Sequence, residues 1–231
     1  MMKKYKIADL IVDMDVSGRT LQQAKPYEIH EDIPADFTID LDIPQILADC
    51  PRFETEDLAE YMATGTVFAR RALHYDGYYI HSSAVVLDGK AYLFTASSGT
   101  GKSTHTEKWI RLFGAHYLND DKPILRRVDG KWMAYGTPWS GKNDLSTNEG
   151  VPVGGIACLK RGEKNQIAPI TPAAALPYLM GQTLYHLREA AVEKKLQLLE
   201  LLMKEIPIWE LSCLPDDDAA YMSRAAMTNR G

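Results

Sequence analysis

Polar and apolar residues alternate in the N-terminal part of the chain, which is the pattern of β-strands. Residues 5–15 are rich in β-branched side chains and predict one strand. Residues 37–43 alternate strictly and predict a half-exposed strand. We therefore expect residues 1–53 to form a strand-rich region. The prolines that punctuate its loops, and that argue against helices before about residue 54, are Pro26, Pro34, Pro44 and Pro51.

Apolar residues at helical spacing begin after this region. Residues 54–74 predict one helix, because acidic residues fill its first turn and basic residues its last. A helix is also predicted from residue 102 to Phe113, ended by Gly114. The Ala- and Leu-rich residues 172–205 predict further helical structure, with apolar positions that include Leu184 and Leu187.

Asp-Gly pairs predict two β-hairpins. The first joins residues 78–87, through Asp88-Gly89, to the strand that follows, and the second joins residues 124–128 to residues 131–135. Strands and helices alternate along the chain, so the predicted fold class is α/β. The remaining predicted strands are short and lie at residues 116–121, 156–159 and 206–211.

An apolar strand, a loop of small residues and the start of a helix follow one another at residues 92–104. Gly99 and Gly101 leave backbone N–H groups free to converge on phosphate oxygens. Lys102 supplies a charge for the β- and γ-phosphates, and the Ser103 hydroxyl can bind Mg²⁺. The pattern is that of a P-loop with Ala96 at its first glycine position, and the alternative is an ordinary strand-to-helix turn. The predicted phosphate-binding residues are Ser98, Gly99, Thr100, Gly101, Lys102, Ser103 and Thr104.

Two adjacent carboxylates, Asp120 and Asp121, follow the predicted strand after the loop helix. A carboxylate at a strand end commonly holds the Mg²⁺ that bridges nucleotide phosphates, and a second one can accept a proton from an attacking hydroxyl. Neighbouring side chains of a strand point in opposite directions, so the two need not share a role. The alternative is a solvated acidic turn before Lys122-Pro123.

His81 lies in the strand that the first hairpin pairs with the loop strand. A single histidine in an apolar strand is often a packed core residue. Pairing with the loop strand, however, brings His81 within reach of a metal or of the γ-phosphate. We therefore include His81 among the predicted site residues.

The stretch from Gly136 to Asp144 is a loop framed by Gly and Pro that carries Trp, Ser, Lys and Asn. Such a loop can clamp an acceptor or a nucleotide, or can be a surface loop with a packing tryptophan. Arg70 and Arg71 can face the site from the end of their helix, but a solvated helix C-terminus explains them equally well.

Composition narrows the range of partners. The chain has 231 residues and a net charge of -5, which gives no basic surface for nucleic acid. Its three cysteines, Cys50, Cys158 and Cys213, lack metal-ligand spacing and are typical of reduced thiols in a cytosolic protein. The start of the chain is too charged for a signal peptide, and no apolar run reaches the length of a membrane span. We expect a cytoplasmic protein without membrane contact.

The order of these motifs resembles the shared core of HPr serine kinase/phosphorylases and ATP-dependent phosphoenolpyruvate carboxykinases. The resemblance covers roughly residues 75–130 and is carried by Ile80-His81-Ser82-Ser83-Ala84, by the loop 98–104 and by Asn119-Asp120-Asp121. The broader layout is similar to the small HPr-kinase-like proteins of bacteria. The resemblance implies one kinase-like domain, residues 1–231, with a mixed-sheet P-loop core and C-terminal helices in residues 54–231.

Carried over by position, the resemblance makes Lys102 the phosphate lysine, Ser103 the Mg²⁺ hydroxyl and His81 the histidine near the metal or the transferred phosphoryl group. Asp120 and Asp121 become the metal-binding and base pair, with the two roles unassigned. The implied ligands are ATP or another nucleoside triphosphate, with Mg²⁺ or Mn²⁺. The chain lacks a counterpart of the phosphorylase signature, which argues against the reverse, phosphate-driven activity and against HPr as substrate. It is also less than half as long as a carboxykinase and lacks assignable substrate arginines, which argues against oxaloacetate chemistry.

Three functions stay open at this point. The first is a kinase that moves the γ-phosphoryl group of ATP to a hydroxyl of a small molecule, or to a serine of a peptide or protein. The second is a nucleotide-gated binding module that signals to a partner, and the third and weakest is a carboxykinase. The paired carboxylates favour the kinase, because a binding module needs only one on the metal side. The acceptor is not identified, and a homo-oligomer is compatible with the sequence.

Overall fold

The computed structural model describes residues 2–50, 52–182 and 189–228. The N-terminal region forms a four-stranded sheet in the order β3-β1-β2-β4. β1 and β2 are antiparallel, whereas β4 is parallel to β2. The elements of this region, in chain order, are β1 (Lys3–Ile7), β2 (Leu10–Met14), α1 (Gly18–Ala24), β3 (Glu28–Ile29), β4 (Phe37–Ile39) and α2 (Ile43–Asp49).

Three predictions for this region are wrong. Residues 5–15 are not one strand, because Ala8 and Asp9 take positive φ angles of 53° and 57° and turn the chain into the β1–β2 hairpin. The strand predicted at residues 37–43 ends at Ile39. Helices also occur before residue 54. In α2 the Asp42 side chain accepts the N–H of Gln45, and Pro44 stands in the first turn, where a missing N–H costs nothing.

The rest of the chain begins with α3 (Glu56–Ala72), which confirms the predicted helix. Thr55 caps it by accepting the N–H of Leu58. The large sheet then runs in the order β5-β9-β10-β11-β7-β6-β8, and β13 pairs with both β11 and β12. Its strands are β5 (Gly77–Tyr79), β6 (Ser82–Leu87), β7 (Lys90–Thr95), β8 (His116–Asn119), β9 (Ile124–Val128), β10 (Lys131–Tyr135), β11 (Gly150–Arg161), β12 (Gln166–Pro169) and β13 (Ile208–Cys213).

Both predicted hairpins are present, as β6–β7 and β9–β10. The stretch 78–87 is divided, because β5 pairs with β9 while β6 pairs with β7 and β8. β11 lies between β7 and β13 and is parallel to both. The observed fold is therefore mixed α/β, in agreement with the predicted class.

β11 is much longer than the short strand predicted at residues 156–159. Two of its glycines, which single-residue preferences assign to a loop, make room for aromatic rings. A Cβ on Gly154 would lie 2.7 Å from the Tyr92 ring, and one on Gly155 would lie 2.5 Å from the Trp209 ring. Because these glycines have no side chain, the Tyr92 and Trp209 rings can pack against the strand, and a hydrophobicity pattern does not reveal this contact.

Helices cover both faces of this sheet. Residues of α5 (Pro172–Gly181) and α6 (Glu189–Glu205), such as Leu179 and Leu198, pack in the core on one face. Residues of α4 (Lys102–Phe113) and α7 (Asp217–Thr228), such as Trp109 and Ala220, pack on the other. The predicted helical positions Leu184 and Leu187 lie outside the described residues. None of the helices in the described ranges combines the length and the apolar content needed to cross a bilayer.

His105 is a buried residue of α4 that faces α7, and its Nε2 is 2.9 Å from the Ser223 hydroxyl. Burial and the nearby charge of Lys108 lower the pKa of His105 from 6.5 to about 4. Between about pH 4 and pH 6.5, His105 therefore binds a proton more readily in the unfolded chain than in the folded chain. This contribution to stability is complete above pH 6.5 and is lost as the pH falls toward 4.

We expect the free energy of unfolding to fall by about 2 kcal/mol between pH 7 and pH 5 because of His105. Urea denaturation at both pH values measures this loss. His105→Gln should remove most of it, whereas the same change at the exposed His30 should leave it in place. An equal pH dependence in wild type and His105→Gln would show that His105 does not cause the loss.

Candidate active site

The residues between β7 and α4, residues 96–101, form a short loop that we call the glycine loop. Gly99 has a φ of +75° and Gly101 a φ of +116°, in the left-handed region that favours glycine. No atom lies within 4 Å of a Cβ built on either residue. Backbone conformation, rather than lack of space, therefore requires glycine at both positions.

Lys102 is the first residue of α4, and its Nζ donates to the Ala96 carbonyl at a distance of 3.0 Å. Burial lowers the pKa of Lys102, and the negative charge of Asp121 opposes this effect. Ser103 and Thr104 are exposed in the first turn of the same helix. The N–H groups of this turn and the ammonium group thus stand at one edge of the sheet, which is an arrangement suited to an anion.

Asp121 lies beside His81, and the His81 Nε2 is 2.9 Å from its Oδ1. The sheet brings them together, because β6 pairs with β8 and the Ser82 N–H donates to the Asp121 carbonyl. Burial alone would raise the pKa of Asp121. The hydrogen bond from His81 and the charges of Lys122 and Lys102 outweigh burial and lower it. Asp121 is thus held as a carboxylate.

Asp120 has a different environment from Asp121. Its Oδ1 accepts the N–H of Gly141 at 2.5 Å. Burial raises the pKa of Asp120, and the charges of Asp121 and Asp144 add to this effect, although the hydrogen bond from Gly141 lowers it. Opposite pKa shifts in adjacent carboxylates are typical of pairs that divide two chemical roles.

Asn119 was not predicted to have a role of its own. Its Oδ1 accepts the N–H groups of Asp121 at 2.9 Å and Lys122 at 2.6 Å. Its Nδ2 donates to the carbonyls of Thr137 and Trp139, both at 3.1 Å. This buried amide therefore fixes the turn that carries both carboxylates. In the sequence, only the position of Asn119 next to the two aspartates pointed to it.

The loop from Gly136 to Asp144 lies against this turn. Trp139 is a packing residue, since it is 2% exposed and its Nε1 donates to the Thr64 hydroxyl. Gly141, in contrast, contacts Asp120 directly. The interpretation of Trp139 as a packing residue is thus confirmed, whereas a role of the loop in clamping an acceptor or a nucleotide stays a prediction. Arg70 and Arg71 are exposed at the end of α3 and do not line the clefts described next.

Two clefts flank the glycine loop. One, of about 490 Å³, lies on the α5 side and includes Lys160, Tyr178 and Gln182. The other, of about 470 Å³, lies on the α4 side and includes Thr104 and Lys108. Each is large enough for part of a small-molecule ligand.

Arg161 lines both clefts, and its Nη2 donates to the Gly99 carbonyl at 2.6 Å. It was not among the predicted site residues. Arg161 ends β11, the parallel neighbour of β7, so its position at the same sheet edge follows from the strand order. The sequence analysis did not identify Arg161 because the strand predicted at residues 156–159 ends before it, whereas β11 extends to Arg161.

The described residues contain no group of three His, Cys, Asp or Glu side chains that could hold a metal ion. The donors present fit Mg²⁺ bound together with a nucleotide, because Mg²⁺ usually takes one or two carboxylates, waters and phosphate oxygens. Ser103 and the ionised Asp121 provide oxygens of this kind.

A family model described as "SynChlorMet cassette protein ScmC" matches residues 54–213. The chain belongs to the ScmC family. The region matched in this family member extends from just before α3 to the end of β13, and it includes every predicted site residue. It leaves out the N-terminal sheet and α7.

No curated protein matches this ScmC-family chain. Among solved structures, the HPr(Ser) kinase/phosphatase from Coxiella burnetii is 16% identical and has a TM-score of 0.38. That match covers 65% of this chain and 94% of the other. The similarity to an HPr kinase is therefore distant, and membership of the ScmC family rests on the family model.

Proposed function

We propose that this chain is an ATP- and Mg²⁺-dependent kinase that transfers the γ-phosphoryl group to a hydroxyl group. One observation carries the proposal: the glycine loop, with left-handed Gly99 and Gly101, leads directly into α4, whose first residue, Lys102, is at the same edge of the sheet as the Asp121–His81 pair. A lysine at a helix N-terminus beside an ionised carboxylate is the arrangement that binding of a metal-bound polyphosphate requires. In this proposal the glycine loop is the P-loop.

The nucleotide-binding roles follow from position. The N–H groups of the glycine loop and of the first turn of α4 bind phosphate oxygens, and Lys102 neutralises charge on the β- and γ-phosphates. Arg161 adds a second cation at the mouth of the loop. Ser103 and Asp121 would hold Mg²⁺, which would offset phosphate charge when bound.

Asp120 is the base in this proposal, because burial raises its pKa while Asp121 is held ionised. The acceptor oxygen forms a bond to the γ-phosphorus, and the bond from this phosphorus to the bridging oxygen breaks. ADP leaves with that electron pair, and the acceptor proton passes to Asp120. His81 orients Asp121 and places a ring nitrogen near the phosphoryl group.

Labelled ATP tests the proposal against a nucleotide-gated binding module. The protein is incubated with γ-labelled ATP, Mg²⁺ and a cell extract that supplies candidate acceptors. Label that moves to an acceptor supports the kinase. Label that stays with the protein as bound nucleotide, without transfer, contradicts it and favours the binding module.

His81→Gln should lower the rate of transfer about 10- to 100-fold, which is the usual effect of losing a residue that orients a metal ligand. It should change the melting temperature by less than about 2 °C, because the His81 side chain is 32% exposed. Steady-state rates and thermal unfolding of the same preparation give both numbers.

His116 supplies a matched control for this substitution. It also pairs with a carboxylate, that of Glu149 at 2.7 Å, but it is 54% exposed and starts β8 at the opposite end from Asp120. His116→Gln should leave the rate unchanged. A loss of stability in His81→Gln without a loss of rate would remove His81 from the site.

A further inference from the structure

Arg19, in α1, reaches the loop that holds Asp120. Its Nη2 donates to the Gly141 carbonyl at 3.0 Å, and its Nε and Nη2 donate to one oxygen of Asp144 at 3.1 and 2.6 Å. Gly141 in turn donates its N–H to Asp120. One residue of the N-terminal sheet region thus contacts the residue that contacts the proposed base.

The Arg19 side chain is itself firmly placed. Its backbone N–H donates to Asp57 of α3 at 2.7 Å, and its guanidinium lies 4.0 Å from the centre of the Tyr61 ring. The Tyr61 hydroxyl accepts the Ser140 N–H at 2.7 Å, so the same pair of side chains fixes two successive residues of the loop. A guanidinium stacked on a ring and bonded to a carboxylate loses little further freedom when it orients a neighbour.

Gly141 also packs closely against Asp120. A Cβ at this position would lie 2.8 Å from Oδ2 of Asp120 and 3.1 Å from Oδ1. The contact therefore needs both the absence of a side chain and a fixed backbone. A small movement of Gly141 would lengthen or bend this hydrogen bond and weaken its hold on the carboxylate.

We infer that Arg19 is a positioning residue for Asp120, acting through Gly141, and this inference rests on the proposed function. Arg19 lies outside residues 54–213, the stretch shared with the ScmC family model. The N-terminal region therefore completes the site, which supports treatment of residues 1–231 as one kinase-like domain.

Arg19→Lys and Arg19→Gln test the inference together. Lysine keeps the charge but lacks the planar fork that reaches Gly141 and Asp144 at once, and glutamine also removes the charge. Both variants should speed hydrogen exchange at the Gly141 amide, followed by NMR, on the order of tenfold or more. Both should lower kcat for transfer from Mg²⁺-ATP to acceptors in a cell extract on the order of tenfold, with the KM for ATP unchanged.

Arg127 is the matched control, because its Nε and Nη2 donate to Glu205 at 3.0 and 2.9 Å on the protein surface. Arg127→Gln should change neither Gly141 exchange nor kcat. Adding Arg19→Gln to Asp120→Asn should cause no further loss of rate, since residues that act through one group are not additive.

Unchanged hydrogen exchange at Gly141 in both Arg19 variants would overturn the inference. Losses of rate for Arg19→Gln and Asp120→Asn that multiply in the double variant would also overturn it. A failure of the proposed function has a different signature, since the wild type would then transfer no label to an acceptor, while the effect of the Arg19 variants on Gly141 exchange would remain. A third outcome is that transfer occurs and Asp120→Asn alone retains it in full. That result would overturn the base assignment, and with it the catalytic part of the inference.

Discussion

Lys102→Ala is expected to reduce phosphoryl transfer by on the order of 10²- to 10³-fold, as removal of a preorganised charge from a reaction centre commonly does. Lys102 is the first residue of α4 and carries an ammonium group, and helix N–H groups alone are weaker partners for a triphosphate. The fold should survive, because burial already disfavours the charged form of Lys102 and its Nζ holds only a loop carbonyl. Transfer of label from ATP and thermal unfolding measure the two effects.

Lys90 is the control for this substitution, since it is an exposed lysine at the other end of β7. Lys90→Ala should retain full activity. Normal turnover in a well-folded Lys102→Ala protein would contradict the assignment of the glycine loop as a P-loop.

Asp120→Asn is expected to lower kcat by about 10²- to 10⁴-fold with little change in nucleotide binding, because an amide cannot accept the acceptor proton. The amide keeps the shape of the carboxylate and retains an oxygen for the Gly141 N–H. Asp121→Asn should instead raise the Mg²⁺ concentration needed for half-maximal rate, since this carboxylate faces His81 and Lys102. Rates measured over a range of Mg²⁺ concentrations separate the two variants.

Asp129→Asn tests whether any Asp-to-Asn change has these effects. Asp129 is exposed in the β9–β10 turn at a φ of 48°, a conformation that asparagine accepts well. This variant should match the wild type. If Asp120→Asn and Asp121→Asn both show only a raised KM for ATP with intact kcat, then neither carboxylate is the base.

The parts of the site that could be predicted from the sequence are local ones. The glycine loop, Lys102 and the following helix are contiguous in sequence. The positive φ angles in this segment fall on Gly99, Gly101 and Gly114, which are visible in the sequence as glycines. The β6–β7 turn at Asp88-Gly89 is equally local, and it pairs Ser82 with Thr95 at the end of the loop strand. His81 does not lie in this strand as predicted but directly before it, where its carbonyl accepts the Thr95 hydroxyl. The roles of these residues stay predictions, but their placement at one edge of the sheet agrees with the sequence.

The parts that were missed depend on contacts between distant residues. Arg161 and Arg19 reach the site across 62 and 122 residues respectively, to Gly99 and Gly141. The spacing of apolar residues predicts local structure and does not show contacts between residues that are so far apart in the sequence. Helix α2 was missed for a different reason, because Pro44 was interpreted as a loop residue although the first turn of a helix accepts it.

Two cationic side chains bind carbonyl groups of the glycine loop, one near its start and one near its end. Lys102 donates to the Ala96 carbonyl and Arg161 to the Gly99 carbonyl, and both acceptors are neutral. An ammonium has three N–H donors and a guanidinium five, so each keeps donors for an incoming anion while the loop retains its shape. In the proposed complex with a nucleotide, a loop that already has its shape loses less conformational entropy on association, and more of the interaction energy of the phosphates is available as affinity.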